Sequence, residues 1–276
     1  MIRKLGLLTS MLTMCIAGSA ATCDYTVENV VYKNLVAKAY LPTGERMAPV
    51  VIAFGGSEGG ISTGQSSGEM LAPRCIAVLA LAYFKEGALP PTLDHIPLEY
   101  FVDAVDYVSQ LRGVDKARLG VLSGSRGSEA ALLLASMDAR IKSVVVTTPS
   151  EVPWYGRTQA RSAWTYLGKD VPALSVDDNP SVPQAKRFEN TLNAVVRPDD
   201  YRIKVERING PIFLISAQND EIWPSTRMSN TIVEQLKNHH FKYRIRHDIY
   251  PTGHGFSQEV AVSIKKSVVE QFIDTL

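Results

Sequence analysis

The feature that most constrains this chain is a repeated alternation of apolar runs with segments of helical period. Pro49 to Phe54, Ile76 to Phe84, Arg118 to Leu122, Ile141 to Thr147, Ile212 to Ser216 and Lys242 to Tyr250 each read as a strand. Two earlier runs, Val27 to Val31 and Leu35 to Leu41, read as further strands on either side of Lys33-Asn34. Leu98, Phe101, Val102, Val105 and Val108 recur at helical spacing, with Pro97 near their start. Glu129 to Met137, Thr226 to Lys237 and Val260 to Leu276 give three more helices. Ile76 to Phe84 is apolar almost throughout, as a strand covered on both faces must be. Alternation of this kind predicts an α/β fold with a mainly parallel central sheet and helices on both faces.

Residues 149 to 209 break the pattern. They hold Pro149, Pro153, Pro172, Pro180, Pro183 and Pro198, scattered Trp and Tyr, and little periodicity. The stretch is too long for an ordinary loop and reads as a cap-like insertion in a single domain.

Composition removes several alternatives. Of 276 residues, 45% are hydrophobic and 21% charged, which argues against wholesale disorder. Lys+Arg at 29 against Asp+Glu at 28 leaves no basic surplus for neutralising phosphates, so no nucleic-acid partner is expected. Three Cys are too few for a multi-Cys zinc site, no two His, Cys, Asp or Glu residues show metal-ligand spacing around the glycine-rich run, and no metal or cofactor is expected.

The first 21 residues read as a leader. Arg3 and Lys4 precede an almost uncharged run from Leu5 to Gly18, followed by Ser19, Ala20 and Ala21. This is the layout of a secretory signal peptide, and the run is short for a bilayer span. Thr22 before Cys23 fits a lipoprotein signal poorly, so the expected product is secreted or periplasmic, without a stable membrane anchor. Residues 22–276 would then form the domain. Loss of Arg3 and Lys4 turns the formal charge from +1 to −1. Cys23 and Cys75 remain, either bridged or as two free thiols.

Chemistry-bearing residues gather just past strands. Ser123-Gly124-Ser125-Arg126-Gly127 lies between a strand and a helix, the context of the nucleophile elbow G-x-S-x-G. Ser123 occupies the first small position, where it adds strain or a hydrogen bond. Asn219-Asp220 follows the strand ending at Ser216, and Gly253-His254-Gly255 follows the strand ending at Tyr250. The other histidines, His95, His239, His240 and His247, are less well placed. Ser125, Asp220 and His254 appear in the chain order of the α/β-hydrolase triad, each past a predicted parallel strand. The glycine-rich run Phe54 to Gly60 also follows a strand. Its amides near Gly56 or Ser57, with that of Arg126, are candidates for an oxyanion hole. The run lacks the Lys-Ser/Thr ending of a P-loop. Trp154, Tyr155, Trp164 and Tyr166 are candidates to line an apolar acyl pocket, or else to form the insertion's own small core.

The stretches FGGSEGG, VLALAYF, GVLSGSRGSEAALLLAS, ISAQNDEIWPS and YPTGHGF together resemble the C-terminal domain of acyl-CoA thioesterases and bile acid-CoA:amino acid N-acyltransferases. These are dienelactone-hydrolase-like members of the α/β-hydrolase superfamily. RSAWTYLGKD and IKVERINGP extend the resemblance over nearly all of residues 22–276. It implies Ser125 as nucleophile, Asp220 as acid and His254 as base, acting on a small-molecule acyl ester or thioester. Ser123 departs from the usual Gly, and Asn219 stands where a second acid is common. The acyltransferase branch typically uses Cys, so Ser125 favours transfer to water. The expectation is a serine hydrolase of thioesterase or carboxylesterase type. The alternatives are an acyltransferase to an amine or alcohol, or a non-catalytic binding protein of the same fold.

Overall fold

A computed structural model describes residues 22–44 and 46–276. The predicted leader lies outside the described residues. The elements in chain order are β1 (Tyr25–Asn29), β2 (Val36–Pro42), β3 (Ala48–Ala53), α1 (Ser62–Leu71), β4 (Ala77–Ala82), β5 (Ile96–Pro97), α2 (Glu99–Val108), β6 (Val114–Gly124), α3 (Arg126–Met137) and β7 (Ile141–Thr147). They continue with β8 (Trp164–Tyr166), β9 (Lys169–Asp170), α4 (Gln184–Ala194), β10 (Ile212–Ala217), α5 (Ser225–Asn238), β11 (Ile245–Tyr250) and α6 (Gln258–Thr275).

Eight strands form one sheet in the order β1-β2-β4-β3-β6-β7-β10-β11. β2 runs antiparallel to both β1 and β4, and every other pairing in this sheet is parallel. Alternate residues of the central strands feed two separate cores. Val50, Ile52, Leu79, Val121, Val144 and Leu214 pack with α2, α3 and α5. Val51, Ala53, Val78, Leu122, Val145 and Phe213 pack on the other face with α1 and α6. This is why the strands read as unbroken apolar runs: period-two alternation is lost when both faces are dry. Each fully buried Leu, Ile or Val contributes about 1.5–3 kcal/mol, so the two cores supply most of the favourable energy.

α1 was not legible in the sequence. Its segment STGQSSGEML has no apolar stripe. Its buried face is instead made of Gly64, Ser67, Gly68 and Leu71. A Cβ on Gly64 would lie 2.6 Å from the Ala53 carbonyl, and one on Gly68 would lie 2.5 Å from the Tyr40 ring. The helix thus sits directly on the sheet, and close approach replaces side-chain bulk.

The 149–209 stretch is mostly irregular, with α4 and the short β8–β9 hairpin. β8 also pairs with β5, joining the insertion to the segment before α2 in a small three-stranded sheet. A third core of Val152, Trp154, Leu174 and Phe188 packs against Trp223 and Met228.

Cys23 and Cys75 form a disulfide with their Cα atoms 5.3 Å apart. It closes a loop of sequence separation 52, from just before β1 to just before β4. On the chain-entropy model such a loop gives about 4 kcal/mol at most. Replacing both cysteines by serine is expected to lower unfolding free energy by about 2–4 kcal/mol in urea titration. Reduction of the native chain should reproduce that loss; unchanged midpoints in both experiments would show that the bond contributes nothing.

Candidate active site

The site begins with a backbone constraint. β6 ends at Gly124 and α3 begins at Arg126, so Ser125 makes the whole turn with φ 51° and ψ −131°. A non-glycine residue in that region costs about 1–3 kcal/mol, which the surroundings must hold in place. They do so through hydrogen bonds and bare backbone. Ser125 N–H donates to the Thr147 carbonyl at 2.9 Å, and the Ser125 carbonyl accepts from Ser128 N–H at 2.9 Å. A Cβ on Gly124 would meet Thr147 Oγ1 at 2.2 Å, and one on Gly127 would meet the Gly55 carbonyl at 2.1 Å. Ser123, in the usual glycine position, donates its hydroxyl to the Phe54 carbonyl at 2.9 Å. That bond ties β6 to the start of the glycine-rich loop.

Three strand ends converge on this turn. His254 Nε2 lies 2.8 Å from Ser125 Oγ, and its Nδ1 lies 2.8 and 2.9 Å from the two Asp220 carboxylate oxygens. The Asp220 side chain is almost fully buried and that of His254 is 15% exposed, so the pair is shielded while the ring edge still reaches the serine. Asp220 Oδ1 also accepts from the Ile222 and Trp223 amides, at 3.0 and 3.2 Å. The β10 and β11 loops are tied together by Gln218 N–H to the Tyr250 carbonyl and Asn219 N–H to the Thr252 carbonyl. Glu221 accepts the His254 amide at 3.0 Å, and Trp223 stands edge-on to the His254 ring.

The glycine-rich loop passes beside Ser125. Tyr83, at the end of the β4 run, donates its hydroxyl to the carbonyls of Gly55 and Gly56 at 3.0 and 3.1 Å. Burial pushes the Tyr83 phenol well above its ordinary range, with the Glu58 charge adding to the rise, so it stays a donor. Arg126 is the first residue of α3, where a backbone N–H has no partner within its own helix. Gly56 lies directly against Ser125, and Arg126 follows it in the chain. The Gly56 amide, however, donates to Glu58 Oε1 at 2.9 Å. Ser57 is exposed and does not line the cavity beside Ser125.

That cavity, of about 320 Å³, holds Ser125 and His254. Its apolar wall is Met70 of α1, Leu122 of β6, and Phe256, Ile264 and Val268 at and within α6. Trp154, Tyr155, Trp164 and Tyr166 do not line it, which corrects their assignment as acyl-pocket residues. Trp154 and Trp164 are fully buried. Trp154 packs on Phe188 in the insertion's core, and Trp164 packs on Tyr83 and Phe101 in the main one. Tyr155 borders a separate cleft in the insertion, and Tyr166 is 39% exposed on β8. Two large indoles bury more apolar area in a dry core than a half-open pocket would offer them.

Nothing in the local pattern marks Glu129. It is fully buried on α3, with Oε1 3.0 Å from Arg126 Nε and Oε2 accepting from the Trp154 amide and the Trp164 indole at 3.0 and 2.7 Å. The Arg126 guanidinium also donates to the Trp154 and Tyr155 carbonyls. This pair fastens the insertion to the first turn of the helix that follows Ser125. Among the described residues, no three His, Cys, Asp or Glu side chains cluster as metal ligands would, and no helix is long and apolar enough to cross a membrane.

This architecture, with the sheet order and strand-end site just described, is that of an α/β-hydrolase. A dienelactone hydrolase from Anabaena variabilis superposes with a TM-score of 0.59 at 16% identity, covering 92% of this chain and 99% of that one. The family follows from the sequence itself. Residues 96–258, more than half of the chain, match the BAAT / acyl-CoA thioester hydrolase C-terminal family, and the chain belongs to it. Human acyl-coenzyme A thioesterase 1 is 28% identical over 205 residues, 72% of this chain and 47% of that protein. Mouse acyl-coenzyme A amino acid N-acyltransferase 2 is 26% identical over 204 residues, again 72% of this chain and 47% of the relative. The chain thus aligns with under half the length of these relatives.

Burial raises the Glu129 carboxyl to about 7, against the pull of Arg126 and its two hydrogen-bond donors. The folded state therefore holds a proton that the unfolded chain releases near 4.5. This contribution to stability is full below about pH 4.5 and is lost as pH rises through about 7. Glu129→Gln cannot ionise, so it should gain stability relative to wild type across that window in urea titrations. Parallel pH profiles for the two proteins would exclude the effect.

Proposed function

We propose that this protein is a serine hydrolase that cleaves an acyl ester or thioester through Ser125, His254 and Asp220. The observation that carries the reading is the unbroken hydrogen-bonded line from Ser125 Oγ through the imidazole to the Asp220 carboxylate. Ser125 Oγ attacks the carbonyl carbon as its proton passes to His254 Nε2. Asp220 holds the ring with Nδ1–H toward the carboxylate and stabilises the imidazolium. The Gly56 and Arg126 amides receive the charge that builds on the carbonyl oxygen, a type of contact worth ~10²–10³ in turnover per donor. The imidazolium returns its proton to the leaving alkoxide or thiolate. Water then attacks the acyl-enzyme with His254 again as base.

The cavity between α1 and α6 suits an acyl chain along its apolar wall of Met70, Phe256, Ile264 and Val268, while Glu58 and Lys265 add charge to the rest of its lining. The names of the relatives favour an acyl-CoA thioester as the substrate class. A second reading, acyl transfer to an amine, is favoured by the relative named as an amino acid N-acyltransferase. Export to an oxidising compartment belongs to the proposal too. It is supported by the leader-like residues 1–21 and by the Cys23–Cys75 bond, because disulfides persist outside the reducing cytosol. Intact-mass measurement on the protein recovered from the periplasm or medium tests that part.

The central test is covalent. A fluorophosphonate probe should label the native protein, and Ser125→Ala should abolish labelling together with hydrolysis of p-nitrophenyl esters and acyl-CoA thioesters. Labelling that survives the substitution would place the nucleophile elsewhere. No labelling and no hydrolysis in the wild type would support a binding protein. Added glycine or taurine that yields an N-acyl product in place of the free acid would favour the transferase reading.

Replacing Ile264 by Trp should shorten the acyl chains accepted. The kcat/KM for octanoyl esters should fall about 10-fold or more while acetyl esters are little changed, since each buried CH₂ is worth about 0.8 kcal/mol. An equal change for both would place the acyl chain outside this cavity.

A further inference from the structure

We propose that Glu58 gates the oxyanion hole: in the free enzyme its carboxylate holds the Gly56 N–H, and every turnover must displace it. The proposal rests on the reading of Ser125 as nucleophile.

The argument starts from one peptide plane. The Gly56 N–H belongs to the Gly55–Gly56 peptide, whose carbonyl oxygen accepts the Tyr83 hydroxyl at 3.0 Å on the buried side. In a trans peptide the N–H points opposite to the carbonyl. Tyr83 therefore fixes the Gly56 N–H on the open side of the loop. A Cβ built on Gly56 would lie 2.9 Å from Ser125 Cβ, so this amide is the nucleophile's immediate neighbour. It is the loop's donor for an oxyanion formed on a carbonyl bound at Ser125.

That donor is in use. Glu58 Oε1 accepts from the Gly56 N–H at 2.9 Å and from the Thr63 hydroxyl at 2.8 Å. The same Gly56 Cβ position lies 3.2 Å from Glu58 Oε2, so both carboxylate oxygens stand over this glycine. Gly55 makes room for them, since a Cβ there would meet Oε1 at 2.2 Å. Glu58 also lines the cavity that holds Ser125 and His254. The carboxylate thus holds the N–H that this reading assigns to the developing oxyanion. Two like charges cannot share a single N–H donor, so the carboxylate must leave before the tetrahedral intermediate forms.

The geometry lets it leave. Glu58 is solvent-exposed, and both its hydrogen-bond partners are neutral. When the substrate carbonyl takes the Gly56 N–H, the hydrogen bond to Glu58 breaks and the carboxylate swings outward into water, with no covalent bond to Glu58 made or broken. The displacement is the same whatever acyl chain or leaving group arrives. It lowers kcat/KM by one common factor, unlike a subsite residue, whose effect varies with the substrate.

The experiment compares wild type, Glu58→Gln, Glu58→Ala and Thr63→Val on p-nitrophenyl acetate, butyrate and octanoate. The rate of fluorophosphonate labelling is measured alongside, because the phosphonyl oxygen enters the same hole. Glu58→Ala is expected to raise kcat/KM about 10-fold or more, the strength of a hydrogen bond to a charged group, by the same factor on all three esters. Labelling should accelerate in parallel. Glu58→Gln keeps an acceptor without the charge and should gain less than Glu58→Ala. Thr63→Val removes one tether of the carboxylate and should also gain, which keeps the test open should Glu58→Ala fold poorly. A loss of kcat/KM in the glutamate variants would make Glu58 a positive contributor to catalysis and overturn the gate. A gain that changes with acyl chain length would make it a subsite residue and do the same. Failure of the nucleophile reading has a separate signature, labelling that persists in Ser125→Ala.

Discussion

Parallel pairing of six strands is the constraint on which this structure depends. Because β4, β3, β6, β7, β10 and β11 all run the same way, their carboxyl ends share one edge of the sheet. Residues as distant in sequence as Ser125, Asp220 and His254 are delivered there by strand direction alone. The final adjustment comes from loop bonds, such as Asn219 N–H to the Thr252 carbonyl, which lock the two loops that carry the acid and the histidine. Parallel sheets also require cover on both faces, and that is what forces the two cores and the helices that make them.

The strained turn at Ser125 shows where part of the stability is spent. Its left-handed backbone persists because the neighbouring elements leave it no room to relax. Gly127 presses on the Gly55 carbonyl, Gly124 on the Thr147 hydroxyl, and Ser123 binds the Phe54 carbonyl. The Ser125 turn and the glycine-rich loop are therefore one mechanical unit. Glu129 and Arg126 extend that unit into the insertion, through a buried carboxylate bound to two tryptophans. The insertion is thus anchored to the helix that begins directly after Ser125.

Legibility in the sequence followed physical cause. The main strands and the helices α2, α3, α5 and α6 were readable within a few residues, because burial forces apolar side chains to recur at the period of each element. The strand-to-helix turn at Ser125 and the loops that carry Asp220 and His254 were readable because glycine and small residues mark places where backbones meet. α1 was not, since a helix that packs through glycine and serine leaves no hydrophobic stripe. The aromatic residues of the insertion misled for a related reason. An indole in a dry core and an indole in a pocket are the same letter, and only their neighbours differ. Tyr83 and Glu129 gave no signal for the same cause: each acts on groups that the fold, not the sequence, brings close.

By itself the sequence determined the α/β architecture, the order of the three catalytic-type residues and the presence of a glycine-rich loop beside them. Tertiary structure alone decided which side chains surround Ser125. It sent Trp154 and Trp164 to the core and built the cavity wall from α1 and α6, two helices nearly 200 residues apart in the chain. It also folded Glu58 back onto the Gly56 amide. Periodicity and composition report how a residue relates to its own element and to water. Contact across elements depends on how the layers pack, and no local pattern carries that information.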